Sequence, residues 1–212
     1  MGPEPSAFVA RLLAALGDYD ETEAERILDE VLERFGLDEA VALVMMPFLV
    51  DVGDRWESGA VSVTQEHFAS HLVRSRLTAD VADVMPTEDG PTVVVACAPG
   101  ERHDIAPLAF SVLMRREGWQ VRYLGADTPM ADLVFACKRI EPDLVVVAAS
   151  RRTAMLDAAP GMRRIAAQYP VAIAGAGATR ALAQEFGAAW LDGDVTESVR
   201  RAHAVLSDEP AG

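Results

Sequence analysis

The chain is short of positive charge. Its 212 residues include 33 acidic side chains and only 19 basic ones, which gives a formal net charge of −14 at pH 7. A general nucleic-acid-binding surface needs clustered Lys and Arg to neutralise phosphates, so this composition argues against that class of protein. The deficit is uneven, because residues 1–85 carry 17 acidic and 6 basic side chains, whereas residues 86–212 carry 16 and 13.

Cysteines and long apolar runs are scarce as well. The two cysteines, Cys97 and Cys137, cannot build a disulfide framework, and their apolar surroundings predict buried free thiols. No apolar run approaches the ~20 residues that a membrane-spanning helix needs. The N-terminus also lacks the basic region of a signal peptide. We therefore expect a cytoplasmic protein that does not contact a membrane.

The first 85 residues have the apolar period of α-helices. Apolar side chains recur every three or four residues in four segments, at 7–16, 22–35, about 38–55 and about 63–84. Pro47 is expected to bend the third helix. Ser62 and Gln65 have the spacing of a capping box at the start of the fourth. This pattern predicts a four-helix bundle over residues 1–85.

The pattern changes after a short Pro- and Gly-containing linker at 86–91. Short β-branched runs, typical of strands, lie at 92–98, 120–125, 143–150, 171–177 and 188–193. Helical patterns lie between and after them, at 103–117, 129–140, 154–168, 178–186 and 195–206. This alternation predicts an α/β domain over residues 92–212 with a five-stranded, flavodoxin-like (Rossmann-type) parallel sheet. Such sheets bind ligands at the carboxyl ends of their strands.

Candidate site residues follow three of the predicted strands. His103 lies after the first strand, where a neutral imidazole could bind a transition metal and Glu101 could set its tautomer. A histidine in a surface loop is the alternative. Ser150 ends the third strand, and Gly175 and Gly177 end the fourth, where small residues permit close backbone approach.

The helical half carries a second group of candidates. Trp56 precedes a turn, and Glu66 and His67 fall at the start of the next helix. His67 and His71 are four residues apart, a spacing that also allows a two-histidine metal site. Ordinary packing in the bundle core is the alternative role for Trp56.

Together, these motifs resemble the cobalamin (B12)-binding modules, and more narrowly the adenosylcobalamin-dependent photoreceptors. The resemblance consists of Val-Gly-Asp-x-Trp-x-x-Gly, of Trp56 followed after nine residues by Glu66-His67, and of a Glu-x-His motif. Residues 101–106 match Glu-x-His-x-x-Gly except that Ala106 replaces the final glycine. The resemblance spans residues 6–207.

The resemblance implies a role for each candidate residue. His103 would be the lower axial ligand to cobalt, with Glu101 beside it. The displaced nucleotide tail would run near Ser150, Thr153, Gly175 and Gly177. The tryptophan and the Glu-His pair in the helical half, Trp56, Glu66 and His67, would cover the upper face, where the 5′-deoxyadenosyl group sits. Light would break the cobalt–carbon bond and change the domain arrangement or oligomeric state.

The chain departs from the resembled pattern in several places. The serine motif reads Ser150-Arg151-Arg152, where an apolar residue is common in third position, and Glu57 stands where some photoreceptors have a cobalt-trapping histidine. Transcription-regulating members carry an N-terminal helix-turn-helix domain, whereas this bundle begins near residue 6. We therefore expect no direct DNA binding, and an output through a homo-oligomer or a downstream effector protein.

Three functions remain open at this point. The first is a cobalamin-binding light sensor that is not an enzyme. Some similar sensors also hold an open-chain bilin such as biliverdin, whose propionates Arg151, Arg152 or Arg180 could pair with. The second is a corrinoid carrier subunit of a methyltransferase system, which shares the fold plan and the lower histidine. The third is a flavodoxin-like regulatory domain that has lost its cofactor, in keeping with Ala106.

Overall fold

The computed structural model describes residues 3–82 and 89–207. The chain divides into two compact units, Met1–Asp83 and Val84–Gly212, which we call the helical unit and the sheet unit. Residues 86–88 of the linker predicted at 86–91 lie outside the described residues. Within the described residues, no helix is both long enough and apolar enough to cross a membrane.

The helical unit contains the four predicted helices. They are α1 (Pro5–Gly17), α2 (Glu21–Ala40), α3 (Met46–Glu57) and α4 (Val63–Ala82), with a π-helical turn at Val41–Met45 between α2 and α3. The sequence pattern placed a break after residue 35, and the structure puts a non-helical residue, Gly36 with φ of 71°, at this point. Glycine adopts this left-handed conformation without the steric cost of a Cβ.

A π-helical turn lies directly before Pro47, the residue at which a bend was predicted. Pro47 is the second residue of α3 and has no N–H to donate to the preceding turn. Directly before it, the Met46 N–H bonds to the Val41 carbonyl five residues back, one residue further than in an α-helix. The proline is thus accommodated by a wider turn rather than by an end to the helix.

Local polar contacts and an apolar core define the ends and packing of the helices. Gln65 N–H donates to Ser62 Oγ at 3.3 Å, and Ser62 N–H donates to Gln65 Oε1 at 2.9 Å, which confirms the predicted capping box. The buried core of this unit includes Phe8, Leu12, Ile27, Leu28, Val31, Met45, Phe48, Val52, Val73 and Leu77.

The sheet unit is a five-stranded parallel sheet, as predicted. Its strands are β1 (Thr92–Cys97), β2 (Gln120–Gly125), β3 (Leu144–Ala148), β4 (Val171–Ala174) and β5 (Ala189–Leu191), in the order β2-β1-β3-β4-β5. Its helices are α5 (Ile105–Arg116), α6 (Met130–Ile140), α7 (Arg152–Ala166), α8 (Arg180–Phe186) and α9 (Val195–Ser207). The strand order reverses between β1 and β3, so the loops that follow these two strands begin side by side.

The central strands β1, β3 and β4 are mostly buried, and both cysteines lie in the interior of the sheet unit. Cys97 at the end of β1 and Cys137 on α6 are buried free thiols, which confirms the prediction from their apolar surroundings. Burial raises the pKa of the Cys137 thiol to about 11, because the thiolate would be poorly solvated. This thiol is therefore unreactive near neutral pH.

Candidate functional site

A buried carboxylate lies at the point where the strand order reverses. Glu101, in the loop after β1, has only 1% of its surface exposed. Its Oε1 accepts from the backbone N–H of His103 at 2.8 Å and lies 2.7 Å from His103 Nδ1. Its Oε2 accepts from the backbone N–H of Ser150 at 2.6 Å and from Ser150 Oγ at 2.5 Å. Four hydrogen bonds therefore converge on one carboxylate and join the loops after β1 and β3.

These bonds keep Glu101 ionised. Burial by itself raises the pKa of this carboxyl, but the hydrogen bonds from Ser150 and His103 outweigh burial and lower its pKa from 4.5 to about 2. A carboxylate that accepts several N–H and O–H bonds is more stable charged than protonated, even out of water. The site thus contains a fixed negative charge beside the His103 ring at neutral pH.

This carboxylate determines which nitrogen of His103 can bind a metal. An ionised carboxylate only accepts, so the neutral ring carries its proton on Nδ1 and its lone pair on Nε2. None of the residues that the structure describes hydrogen-bonds to Nε2, and 79% of the His103 side chain is exposed. These features fit a cobalt that takes one imidazole from the protein.

Two further residues hold the loop that carries His103. Asp127, two residues after the end of β2, accepts from the Gly100 N–H through Oδ1 at 2.6 Å, and its own N–H donates to the Glu101 carbonyl at 2.8 Å. The Arg151 guanidinium donates to the Gly100 carbonyl at 2.8 Å. Asp127 was not among the residues singled out from the sequence. The available signal was an acidic residue at the carboxyl end of a strand.

The predicted glycines bring two loops of the chain together. A Cβ on Gly175 would lie 2.5 Å from the Ala149 carbonyl oxygen, and one on Gly177 would lie 2.5 Å from the carbonyl carbon and oxygen of Arg151. The Gly177 N–H also donates to the Ala149 carbonyl at 2.9 Å. The close approach expected at these glycines is therefore made by the loop after β3. Packing of the chain alone gives a reason for glycine at both positions.

The remaining predicted residues of the sheet unit lie on the surface around this loop pair. Ser150 is exposed although its hydroxyl points to Glu101, and Thr153 is exposed in the first turn of α7. Ala106, where the resembled motif has glycine, is exposed in the first turn of α5. The loop after β1, the start of α5 and the start of α7 therefore all present small or polar side chains at one edge of the sheet.

In the helical unit, Trp56 is not a core residue. It lies one residue before the end of α3 with 47% of its surface exposed, whereas Phe48 and Val52 of the same helix are buried. The core-packing alternative for Trp56 is therefore wrong. The Trp56 side chain is therefore accessible to a ligand.

Glu66 and His67 begin α4, just after the turn that follows Trp56. Glu66 is half-buried and accepts from Ser70 Oγ at 2.7 Å, and its Oε2 lies 3.7 Å from His67 Nε2. The His67 side chain is 72% exposed. His71 Nε2 lies 3.4 Å from Ser75 Oγ. Across the described residues, no group of three or more His, Cys, Asp or Glu side chains could hold a metal ion, so the two-histidine site gains no third ligand.

A tyrosine that the sequence analysis did not identify ties α4 to the rest of the helical unit. Tyr19, between α1 and α2, adopts the left-handed backbone conformation with φ of 53°. Its hydroxyl lies 2.7 Å from Thr64 Oγ1, and its ring meets Phe68 edge-on at a centroid distance of 5.6 Å. These contacts fix the first turns of α4, which carry Glu66 and His67.

Comparison with known proteins identifies both units. Residues 9–79 and residues 91–199 each match a family described as a B12 binding domain. The chain is 31% identical over 179 residues to the HTH-type transcriptional repressor CarA of Myxococcus xanthus, and 36% identical over 143 residues to the repressor CarH of the same organism. These alignments cover 83% and 68% of this chain, but only 60% and 48% of the two repressors.

Corrinoid proteins form a second group of relatives. The chain is 25% identical over 170 residues to dimethylamine corrinoid protein 3 of Methanosarcina mazei, which covers 74% of this chain and 99% of the relative. The solved structure of the monomethylamine corrinoid protein of Methanosarcina barkeri has the same fold, with a TM-score of 0.77 at 18% identity, covering 92% of this chain and 96% of that one.

These relatives are named as repressors or as corrinoid proteins and not for a reaction of their own, in agreement with the prediction that the chain is not an enzyme. The match over the sheet unit alone, residues 91–199, spans just over half of the 212 residues. The chain therefore belongs to the B12 binding domain family and is a cobalamin-binding protein.

Proposed function

We propose that the chain is a light sensor that binds adenosylcobalamin, with His103 as the lower ligand and Trp56 as a cover for the adenosyl group. The observation that carries the proposal is the surface position of Trp56, on the helix before the one that carries Glu66 and His67, in a chain that belongs to the B12 binding domain family. A light sensor and a corrinoid carrier share the lower histidine, so His103 does not distinguish them. A tryptophan together with a Glu-His dipeptide suits a bulky upper ligand such as the adenosyl group.

On the lower side, His103 would hold the cobalt through Nε2. The Glu101 carboxylate and Ser150 fix the ring by its Nδ1, so that the lone pair of Nε2 faces outward. Thr153, which is exposed, offers a hydroxyl to the displaced nucleotide tail, and Ser150 lies beside it with its own hydroxyl bonded to Glu101. The glycines Gly175 and Gly177 keep the two neighbouring loops packed beneath it.

On the upper side, Trp56 would exclude water from the adenosyl group through its flat apolar surface. Glu66 would accept hydrogen bonds from sugar hydroxyls, because an ionised carboxylate is a stronger acceptor than a neutral amide. His67 would lie at the edge of the same face. When bound, the cofactor supplies a cobalt–carbon bond that visible light breaks. The loss of the group that these three residues contact would then change domain arrangement or oligomeric state, and so act on a partner copy or effector.

Absorbance spectra and gel filtration test this function. Protein reconstituted with adenosylcobalamin in the dark should form a stable complex that green light bleaches irreversibly, with a change in elution volume. The His103→Ala variant should give a base-off spectrum without histidine ligation. His71→Ala, which removes an exposed histidine outside the proposed site, is the matched control and should keep the wild-type spectrum. A wild-type spectrum in His103→Ala would show that the ligand assignment is wrong.

The second candidate is a corrinoid carrier subunit of a methyltransferase system. The match to a dimethylamine corrinoid protein over 99% of that protein's length favours it. A carrier exposes the upper face of its cofactor to a docking methyltransferase, whereas Trp56 would obstruct that face. Tight binding of methylcobalamin with an unchanged elution volume in light would support the carrier and overturn the sensor.

A bilin as second chromophore is a narrower version of the sensor. Arg151, Arg152 and Arg180 are exposed in the sheet unit, and the Arg180 guanidinium lies over the ring of Trp190 at 5.6 Å. Cationic side chains beside an aromatic face suit a conjugated ligand with propionate groups. Reconstitution with biliverdin should produce a red-shifted absorbance band, and an unshifted spectrum would exclude this version.

A further inference from the structure

Positive charge is concentrated at one edge of the sheet unit, in a chain whose net charge is −14. Arg102 in the loop after β1 and Arg151 and Arg152 after β3 are all exposed. In the described part of the chain, no carboxylate lies within ion-pair distance of these three side chains. Their charges are therefore available to a ligand.

The acidic groups nearby do not neutralise the positive charge of these arginines at the surface. Both oxygens of Glu101 accept hydrogen bonds from Ser150 and His103, and its side chain is buried. Asp127 directs Oδ1 to the Gly100 N–H. The negative charges thus face the interior of the loop pair, whereas Arg102 and Arg152 are exposed and Arg151, also exposed, donates to the Gly100 carbonyl.

Two of these arginines lie where a helix normally carries acids. Arg151 is the N-cap residue of α7 but its side chain makes no capping hydrogen bond, Arg152 is the first residue of the helix, and the first turn contains no Asp or Glu. The amino end of a helix has a partial positive charge, so two cations there are repelled by each other and by the helix end. In contrast, α2 begins with Asp20, Glu21 and Glu23. An unfavourable arrangement that packing does not require is typical of a binding site.

The backbone holds Arg151 in place beside the proposed tail site. Its guanidinium donates to the Gly100 carbonyl at 2.8 Å, in the loop that carries His103. Its own carbonyl group lies against Gly177, because any Cβ there would come within 2.5 Å of it. Arg151 and Arg152 therefore lie between Ser150 and Thr153 in sequence, on the same loop pair.

We propose that Arg151 and Arg152 bind the phosphodiester of the nucleotide tail of cobalamin, which makes the chain selective for complete cobalamins over corrinoids that lack this tail. The inference rests on the proposed binding of cobalamin through His103. Most side chains of the corrin ring are neutral amides, whereas the phosphodiester is anionic. A guanidinium binds the two oxygens of such a group with paired N–H donors, which a single ammonium cannot do.

Titrations of the apo-protein with two cofactors in the dark test this. Adenosylcobalamin has the phosphodiester tail, and adenosylcobinamide lacks it along with the ribose and base. The wild type should bind adenosylcobalamin more tightly, and added NaCl should weaken that binding more than the binding of adenosylcobinamide. Arg152→Gln should lower the affinity for adenosylcobalamin roughly tenfold, as expected for one lost charge-assisted hydrogen bond. Its affinity for adenosylcobinamide should match that of the wild type.

Arg164→Gln is the matched control, because it removes one exposed arginine from the last turn of the same helix. It should leave both affinities unchanged. Equal loss of both affinities in Arg152→Gln, or loss of neither, overturns the inference. If Arg152→Gln loses binding of biliverdin but binds adenosylcobalamin as the wild type does, the inference is also overturned. The arginines would then bind the propionate carboxylates of a bilin. If the wild type binds neither corrinoid, the proposed function fails as well. If it binds both with equal affinity, only the phosphodiester inference fails.

Discussion

Replacing Glu101 with glutamine removes the charge on which four hydrogen bonds converge. The backbone N–H groups and side chains of His103 and Ser150 all direct donors at this one carboxylate. A glutamine side chain has one carbonyl acceptor, and its NH₂ group would face donors instead of accepting from them. Because Glu101 is buried, water cannot replace the lost acceptor. We therefore expect Glu101→Gln to destabilise the sheet unit.

The size of the effect follows from the pKa of Glu101. Hydrogen bonds lower this pKa from 4.5 to about 2, and each pKa unit corresponds to about 1.4 kcal/mol, so the ionised form contributes about 3 kcal/mol to folding. A lowered pKa stabilises the fold fully above the unfolded value of 4.5 and less as the pH falls towards 2. The contribution should therefore shrink by about 2 kcal/mol between pH 7 and pH 3.

Urea unfolding of the apo-protein measures this difference within the sheet unit. In a Trp56→Phe background, the remaining tryptophans, Trp119 and Trp190, both lie in the sheet unit and report on it by fluorescence. Glu101→Gln should lower the free energy of unfolding by about 3 kcal/mol at pH 7. Glu117→Gln, at an exposed position in the same unit, is the control and should change it by less than about 0.5 kcal/mol.

The pH dependence decides the outcome. If the ionised carboxylate is the cause, the difference between wild type and Glu101→Gln narrows to about 1 kcal/mol at pH 3. A difference that is the same at pH 7 and pH 3 would refute the reasoning, because the loss would then come from shape or packing. A negligible difference at pH 7 would show that the four donors find other acceptors.

Further predictions concern glycines, a helix cap and the exposed tryptophan. Gly177→Ala should lower the free energy of unfolding in urea by about 2 kcal/mol, because its Cβ would overlap the Arg151 carbonyl group. Gly53→Ala, within α3 and with no atom within 4 Å of the added Cβ, should instead raise it by about 0.5–1 kcal/mol; equal effects would contradict the steric argument. Ser62→Ala should cost about 1 kcal/mol by removing the cap of α4, measured by circular dichroism on heating. Trp56→Ala should leave the Tm of the apo-protein nearly unchanged, because the side chain is half exposed. The variant should lose adenosylcobalamin on gel filtration. A large fall in Tm would show that Trp56 contributes to packing.

Much of the fold could be predicted because its signals are local. Helical periods, β-branched runs and the Ser62–Gln65 spacing each depend on residues within one element, and the structure has the corresponding helices, strands and cap. The Glu-x-His spacing is local too, since Glu101 reaches the His103 ring from two residues away. The sequence also indicated the cofactor class, because the motifs in both halves resemble one family.

The contacts that complete the site come from the order of the strands. Ser150 is 49 residues from Glu101, and it reaches Oε2 only because β1 and β3 are neighbours in the sheet. Asp127 reaches Gly100 in the same way from β2. Periodicity specifies which segments are strands but not which strands pair, so no pattern along the chain could identify these partners.

Exposure is the other property that only tertiary structure decided. A tryptophan at the end of a helix has the same sequence pattern whether neighbouring helices cover it or not. Trp56 lies on the same face of α3 as the buried Phe48 and Val52, and it is exposed at the end of the helix. By itself, the sequence determined the elements, their period and the residue types that suit a corrinoid. The tertiary structure decided which donors converge on Glu101 and which large side chain remains exposed, because both depend on packing between segments that are far apart in the chain.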